Sequence, residues 1–84
     1  MQTIMIDGNT YSSARELHEG LKRMLCLPSY YGMNADALND CLSERTDPVN
    51  LWILSRGRGE TADALETVMA VFTDNGGKIK ELEK

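Results

Sequence analysis

The sequence predicts an α/β fold in which a small three-stranded parallel β-sheet packs against helices, in the order β-α-α-β-α-β. Short apolar runs alternate along the chain with longer stretches whose apolar residues recur at helical spacing. Strands that are separated by helices in this way are typical of parallel pairing through right-handed crossovers. The chain has 84 residues, which fits one domain covering residues 1–84.

The first predicted elements are a strand and a helix. Residues 3–6 are a short apolar run that ends at the turn signal Asp7-Gly8. A helix is predicted over residues 14–26, where Ser13 is suited to cap the first turn and Glu16 can reach back in a capping box. The apolar stripe of this helix consists of Ala14, Leu17, Leu21, Met24 and Leu25.

Two residues of this helix stand out. Gly20 lies in the helix interior, where glycine costs about 1 kcal/mol relative to alanine, and nothing in the sequence explains it. His18 adjoins the apolar stripe. No second catalytic group lies near it in sequence, so we expect a partly buried structural histidine.

The stretch from residue 27 to residue 42 reads LPSYYGMNADALNDCL. Pro28 cannot continue a helix, so the preceding helix ends and a loop runs to about Met33. Gly32 can adopt a backbone angle that other residues resist, and we expect it to bend this loop. Asn34 is a good N-cap for a second helix over residues 35–43.

The second predicted helix has an apolar face and an acidic face. Leu38, Cys41 and Leu42 share the inward face, whereas the outward face carries Asp36, Asn39, Asp40 and Ser43. Asp36 and Asp40 are four residues apart and are therefore neighbours on the surface. From the residues alone, this face is either a binding surface for a basic partner or a solvated helix face beside a loop whose tyrosines pack on the core.

The second half of the chain supplies the remaining elements. Residues 49–54 form an apolar run that fits a buried strand, and residues 55–59 form a flexible basic loop. A helix is predicted over residues 61–74, ended by Asn75-Gly76-Gly77. Residues 78–84 are predicted to be a strand, although an edge strand or a frayed helical tail also fits this charged segment.

Composition limits the classes of partner and cofactor. The net charge of −4 at pH 7 disfavours nucleic acid or an anionic membrane and favours a basic protein. Two cysteines, Cys26 and Cys41, without an export signal predict reduced thiols and a cytoplasmic protein. One histidine gives no convincing Cys/His metal cluster, so we expect neither a metal nor another cofactor. Nothing indicates an obligate dimer, and we expect a monomer when the protein is free.

The stretch from Leu27 to Leu42 resembles the barstar family, whose members follow the pattern L-P-x-Y-Y-G-x-N-x-D-A-L-x-D-C-L. Every fixed position of that pattern is present here, and the likeness extends to Met5-Ile6-Asp7-Gly8, Leu17-His18 and Val71-Phe72. The family's founding member is the intracellular inhibitor of the bacterial ribonuclease barnase. The resemblance implies a three-stranded parallel sheet packed against helices, and an immunity protein that blocks a basic extracellular-type ribonuclease, either barnase-like or a related toxin nuclease.

The resemblance also implies the contact residues. In the family, the central loop and second helix enter the nuclease cleft, where carboxylates take the place of RNA phosphates. The corresponding partner-binding residues here are Tyr30, Gly32, Asn34, Asp36, Asn39, Asp40, Ser43 and Asp74. Asp40 is the implied main anchor. Ser43 stands where the family protein has threonine, and Asp74 stands where it has a glutamate.

The chain departs from the family pattern at two interface aromatics. The family protein has a tryptophan where this chain has Asn39, and another in the connector where this chain has Glu44-Arg45. These departures leave a second hypothesis open, namely a barstar-like adaptor or regulator of a non-nuclease protein. Asp36 and Asp40 could in principle form a carboxylate pair for metal or acid–base chemistry, but no nucleophile or further carboxylate cluster accompanies them, so we expect no enzyme.

Overall fold

The structure is a computed structural model that describes residues 2–82. Its strands and helices follow the chain in the order β1 (Gln2–Asp7), a 3-10 helix (Gly8–Thr10), α1 (Ala14–Leu25), α2 (Ala35–Ser43), β2 (Val49–Ser55), α3 (Gly59–Asp74) and β3 (Ile79–Glu81). This order confirms the predicted β-α-α-β-α-β arrangement. None of the helices in the described part of the chain is long and apolar enough to cross a bilayer.

The three strands form one parallel sheet with β2 in the centre, in the order β1-β2-β3. Met5 of β1 and Lys80 of β3 both lie opposite Trp52 of β2, which fixes the register across the sheet. The predicted α/β fold with a three-stranded parallel sheet is therefore confirmed.

The helices cover one face of this sheet. Along β2, alternate residues Val49, Leu51 and Ile53 are buried, whereas Trp52 and Leu54 remain 36% and 41% exposed. The expectation of a buried strand was thus right for one face and wrong for the other. The strand order explains the difference, because right-handed crossovers that advance in one direction across a sheet place their helices on the same side.

The ends of α1 are set by local contacts. Ser13 caps the helix as predicted, with its hydroxyl accepting a hydrogen bond from the Glu16 N–H at 3.1 Å. The Glu16 carboxylate reaches back one residue further than the capping box predicts, to the N–H and hydroxyl of Ser12, both at 2.8 Å. The helix ends at Leu25, because Cys26 adopts a left-handed conformation with φ of 54°.

The structure explains the glycine inside α1. The ring of Tyr11 lies across the helix at Gly20, so a Cβ atom there would be 2.5 Å from the tyrosine oxygen. The close approach of the Tyr11 ring therefore explains the glycine at position 20.

The C-terminal half differs from the prediction in small ways. Helix α3 begins at Gly59, two residues earlier than predicted, and β3 covers only Ile79–Glu81 of the predicted segment. Part of the basic loop is fixed, because the Arg56 guanidinium forms a two-pronged ion pair with Glu81, at 2.6 and 3.0 Å. Residues 83–84 of the predicted strand lie outside the described residues.

Candidate functional site

The loop between α1 and α2 begins with a tight turn. The Tyr31 N–H donates to the carbonyl of Pro28 at 3.0 Å, which reverses the chain direction. The residue with the left-handed backbone is Met33, with φ of 57°. The expectation that Gly32 supplies the unusual backbone angle was therefore wrong.

Gly32 lies close to the start of α2. A Cβ atom at Gly32 would lie 3.3 Å from both the Ala37 Cβ and the Asn34 Nδ2, closer than atoms normally pack. Asn34 caps α2 as predicted, because its side-chain oxygen accepts from the Ala37 N–H at 2.8 Å and its amide donates to the Gly32 carbonyl at 3.1 Å. The loop is thereby held against the first turn of the helix.

A buried hydrogen bond ties this loop to α1. The Tyr31 hydroxyl and the His18 Nδ1 are 2.6 Å apart, and each residue is only 5% exposed. Burial lowers the pKa of His18, and burial, followed by the nearby Cys41 thiol, raises the pKa of Tyr31 well above its ordinary range. His18 is therefore a structural histidine, buried more completely than the partial burial expected from the sequence.

The neighbouring tyrosine points the other way. Tyr30 is 84% exposed, an unusual environment for an aromatic ring, and none of residues 2–82 covers it. Beside it lies an open depression of about 340 Å³. Its lining comprises Tyr30, Tyr31, Gly32, Ala37, Asp40, Cys41 and Glu44. Three of the predicted contact residues, Tyr30, Gly32 and Asp40, thus meet at one depression.

Helix α2 presents the face predicted from its periodicity. Leu38 and Leu42 are buried, and the outward-facing residues Asp36, Asn39, Asp40 and Ser43 are exposed. The Ser43 hydroxyl donates to the Asp40 carbonyl at 2.9 Å. That hydroxyl is therefore partly engaged by its own helix.

The remaining predicted contact, Asp74, lies on α3 next to α2. The adjacent Asn75 donates from its side-chain amide to the Asn39 Oδ1 at 2.8 Å, which joins the two helices. Asp40 and Asp74 are each adjacent in sequence to one member of this hydrogen-bonded pair. Asn75 was interpreted from sequence only as a helix terminator, and no local signal pointed to a partner 36 residues away.

Charge is distributed unevenly over the helices. Helices α2 and α3 together carry six carboxylates and no lysine or arginine, namely Asp36, Asp40, Glu60, Asp63, Glu66 and Asp74. Arg45, in the connector after α2, is held by residues outside these two helices. Its guanidinium donates to the Leu25 carbonyl at 2.6 Å and to the Gln2 side chain at 3.4 Å.

The depression offers little chemistry of its own. Burial raises the pKa of the Cys41 thiol, and the carboxylates of Glu44 and Asp40 raise it further, so the thiol is a poor nucleophile. Within residues 2–82, no group of three or more His, Cys, Asp or Glu side chains is placed to hold a metal ion.

Comparison with known proteins agrees with the fold and with the sequence pattern. The family model "Barstar (barnase inhibitor)" matches residues 1–83. A Bacillus subtilis (strain 168) protein named "Putative ribonuclease inhibitor YrdF" is 47% identical over 47 residues, which is 56% of this chain and 52% of that protein. The aligned region therefore spans about half the length of this relative. Because the family model covers nearly the whole sequence, the chain belongs to the barstar family.

Proposed function

We propose that this protein inhibits a bacterial ribonuclease by covering its active-site cleft with the loop and acidic helix of the candidate site. It would act in the cytoplasm as an immunity protein against a basic, extracellular-type ribonuclease, either barnase-like or a related toxin nuclease. Membership of the barstar family and the printed name of the Bacillus relative support this proposal. Inhibition of this kind requires no cofactor and no reaction catalysed by the inhibitor.

The observation that carries the proposal is the pairing of Tyr30 with Asp40 at one open depression. The ring of Tyr30 is held in solvent by a loop that is itself tied to the core through Tyr31. Exposed aromatic rings on a fixed backbone are frequent anchors of protein interfaces. The adjacent carboxylate of Asp40 can occupy the place of an RNA phosphate among the cationic groups of a nuclease cleft.

The charge of the two helices supports the same partner. The two helices carry six carboxylates and no lysine or arginine within their own bounds, which favours a negative potential over their exposed residues. Opposite potentials speed association, and close charge pairs in a dry cleft couple strongly, both effects being documented for the barnase–barstar pair itself. The partner should therefore be basic around its cleft.

Affinity capture from the source cells tests this function. Wild-type protein should retain a partner that cleaves RNA, and the retained partner should lose its activity in the complex. Asp40→Ala should weaken the affinity for this partner by roughly 30-fold or more, which corresponds to about 2 kcal/mol. This is the lower end of the range for removing one member of a buried charge pair, and that range itself rests on the barnase–barstar pair.

Asp63→Ala is the matched control for this experiment. Asp63 is exposed on α3 outside the depression, so its substitution removes the same charge without removing the proposed anchor. Equal retention by wild type and Asp40→Ala would refute the role assigned to Asp40. A partner without nuclease activity, held equally by both, would favour the adaptor hypothesis.

A further inference from the structure

The hydrogen bond between Asn39 and Asn75 fixes the direction of the Asn39 amide group, where α2 meets the end of α3. The Asn75 Nδ2 lies 2.8 Å from two acceptors, the backbone carbonyl of Val71 and the Asn39 Oδ1. A carbonyl oxygen can only accept, so the Asn75 atom that faces Val71 must be the NH₂ group. Its second proton then requires an acceptor, and Asn39 supplies it.

This network determines which end of Asn39 faces outward. Because the Asn39 oxygen is used by Asn75, its NH₂ group is the end left for other partners, and it makes no hydrogen bond to the described residues. Asn39 is exposed and directly precedes Asp40 on the helix. A donor group whose orientation is set by Asn75 therefore lies one residue before the proposed anchor, on a helix whose charged side chains are both carboxylates.

We propose that Asn39 is a specificity-determining residue of the ribonuclease-binding surface, and that Asn75 is the residue that positions it. The inference rests on the function proposed above. The outward NH₂ favours a ribonuclease that presents a hydrogen-bond acceptor, such as a backbone carbonyl or a hydroxyl, next to the cationic groups that receive Asp40. A partner with an apolar or cationic group at that point is disfavoured, because it would leave the amide desolvated without a partner or opposed to another donor.

Asn39→Asp separates this idea from a purely electrostatic surface. The substitution keeps the shape and the acceptor used by Asn75, but it replaces the outward donor by an acceptor and adds a negative charge. If only charge matters, a basic nuclease should bind the variant more tightly. If the donor matters, the variant should dissociate about tenfold faster, the size expected for one lost hydrogen bond, even though its association at low salt is not slowed.

The measurement uses the RNA-cleaving partner recovered by affinity capture, with association and dissociation rates recorded for each variant. Tighter binding of Asn39→Asp, or an unchanged dissociation rate, would overturn the specificity role. The melting temperature of each free variant is measured as well, so that a folding defect can be distinguished from a binding defect.

A double-mutant cycle tests the positioning role of Asn75. Asn75→Ala should speed dissociation by roughly three- to tenfold in the wild-type background, because Asn39 is then free to rotate. In the Asn39→Ala background it should have less than a twofold effect, since no amide remains to be positioned. Equal effects in both backgrounds would show that Asn75 acts independently of Asn39 and would overturn its positioning role. If the wild-type protein retains no ribonuclease, the proposed function and this inference both fail. If Asp40→Ala loses binding but the substitutions of Asn39 have no effect, only this inference is overturned.

Discussion

Removing the hydroxyl of Tyr31 should destabilise the protein substantially, although the change is a single oxygen atom. Tyr31→Phe would leave the His18 Nδ1 without its partner at 2.6 Å, in a site where both residues are 5% exposed. A buried polar group that loses its only partner costs about 1–3 kcal/mol. The same hydroxyl lies 3.5 Å from the Asn34 carbonyl, so the loop that carries the contact residues is loosened as well.

Thermal unfolding and urea unfolding at pH 7.5 provide the two assays. For a domain of this size, a loss of about 2 kcal/mol should lower the melting temperature by roughly 8–16 °C. The transition midpoint should move to lower urea concentration with an unchanged slope, which would indicate lost stability rather than a change in the unfolded state.

The adjacent tyrosine is the matched control. Tyr30→Phe removes the same atom from a residue that is 84% exposed, so the free energy of unfolding should change by less than about 0.5 kcal/mol. Equal effects of the two substitutions, or a change below about 0.5 kcal/mol for Tyr31→Phe, would show that the His18–Tyr31 contact does not hold the loop to the core.

Two further predictions concern α1. Gly20→Ala should lower the free energy of unfolding by up to about 2 kcal/mol, because overpacking against Tyr11 opposes the gain of about 1 kcal/mol in helix propensity. In a Tyr11→Ala background the same substitution should stabilise the protein, and a destabilisation in both backgrounds would contradict the explanation. Burial lowers the pKa of His18 in the folded state, so the unfolded state binds the proton more readily. The contribution of His18 to stability should be complete above the unfolded pKa of about 6.5 and should be lost as the pH decreases below it. His18→Gln should flatten this pH dependence when melting temperatures are measured between pH 5.5 and 7.5.

The features of the candidate site that the sequence predicted depend on short-range geometry. Asn34 caps α2 through an N–H three residues away, and a helical period separates the exposed Asp36 and Asp40 from the buried Leu38 and Leu42. Such contacts are decided by residues three or four apart, so the local sequence is enough to predict them.

The two tyrosines show where local reasoning fails. Tyr30 and Tyr31 are chemically identical and adjacent, yet one is 84% exposed and the other 5%. The difference arises from His18, 13 residues away on another helix, which offers a hydrogen bond to only one of them. The same holds for Gly20, whose reason is the ring of Tyr11, and for Asn39, whose orientation depends on Asn75.

By itself the sequence determined the order of elements, the caps of the first two helices and the acidic face of α2, because each follows from periodicity or from hydrogen bonds within one turn. Only the tertiary structure decided that the sheet is covered on one side, which leaves Trp52 exposed within an apolar strand. It also decided that Tyr30 rather than Tyr31 faces solvent and that the Asn39 amide points outward. The physical reason is the same in each case: these features depend on groups that are distant along the chain and are brought together only when the helices pack on the sheet.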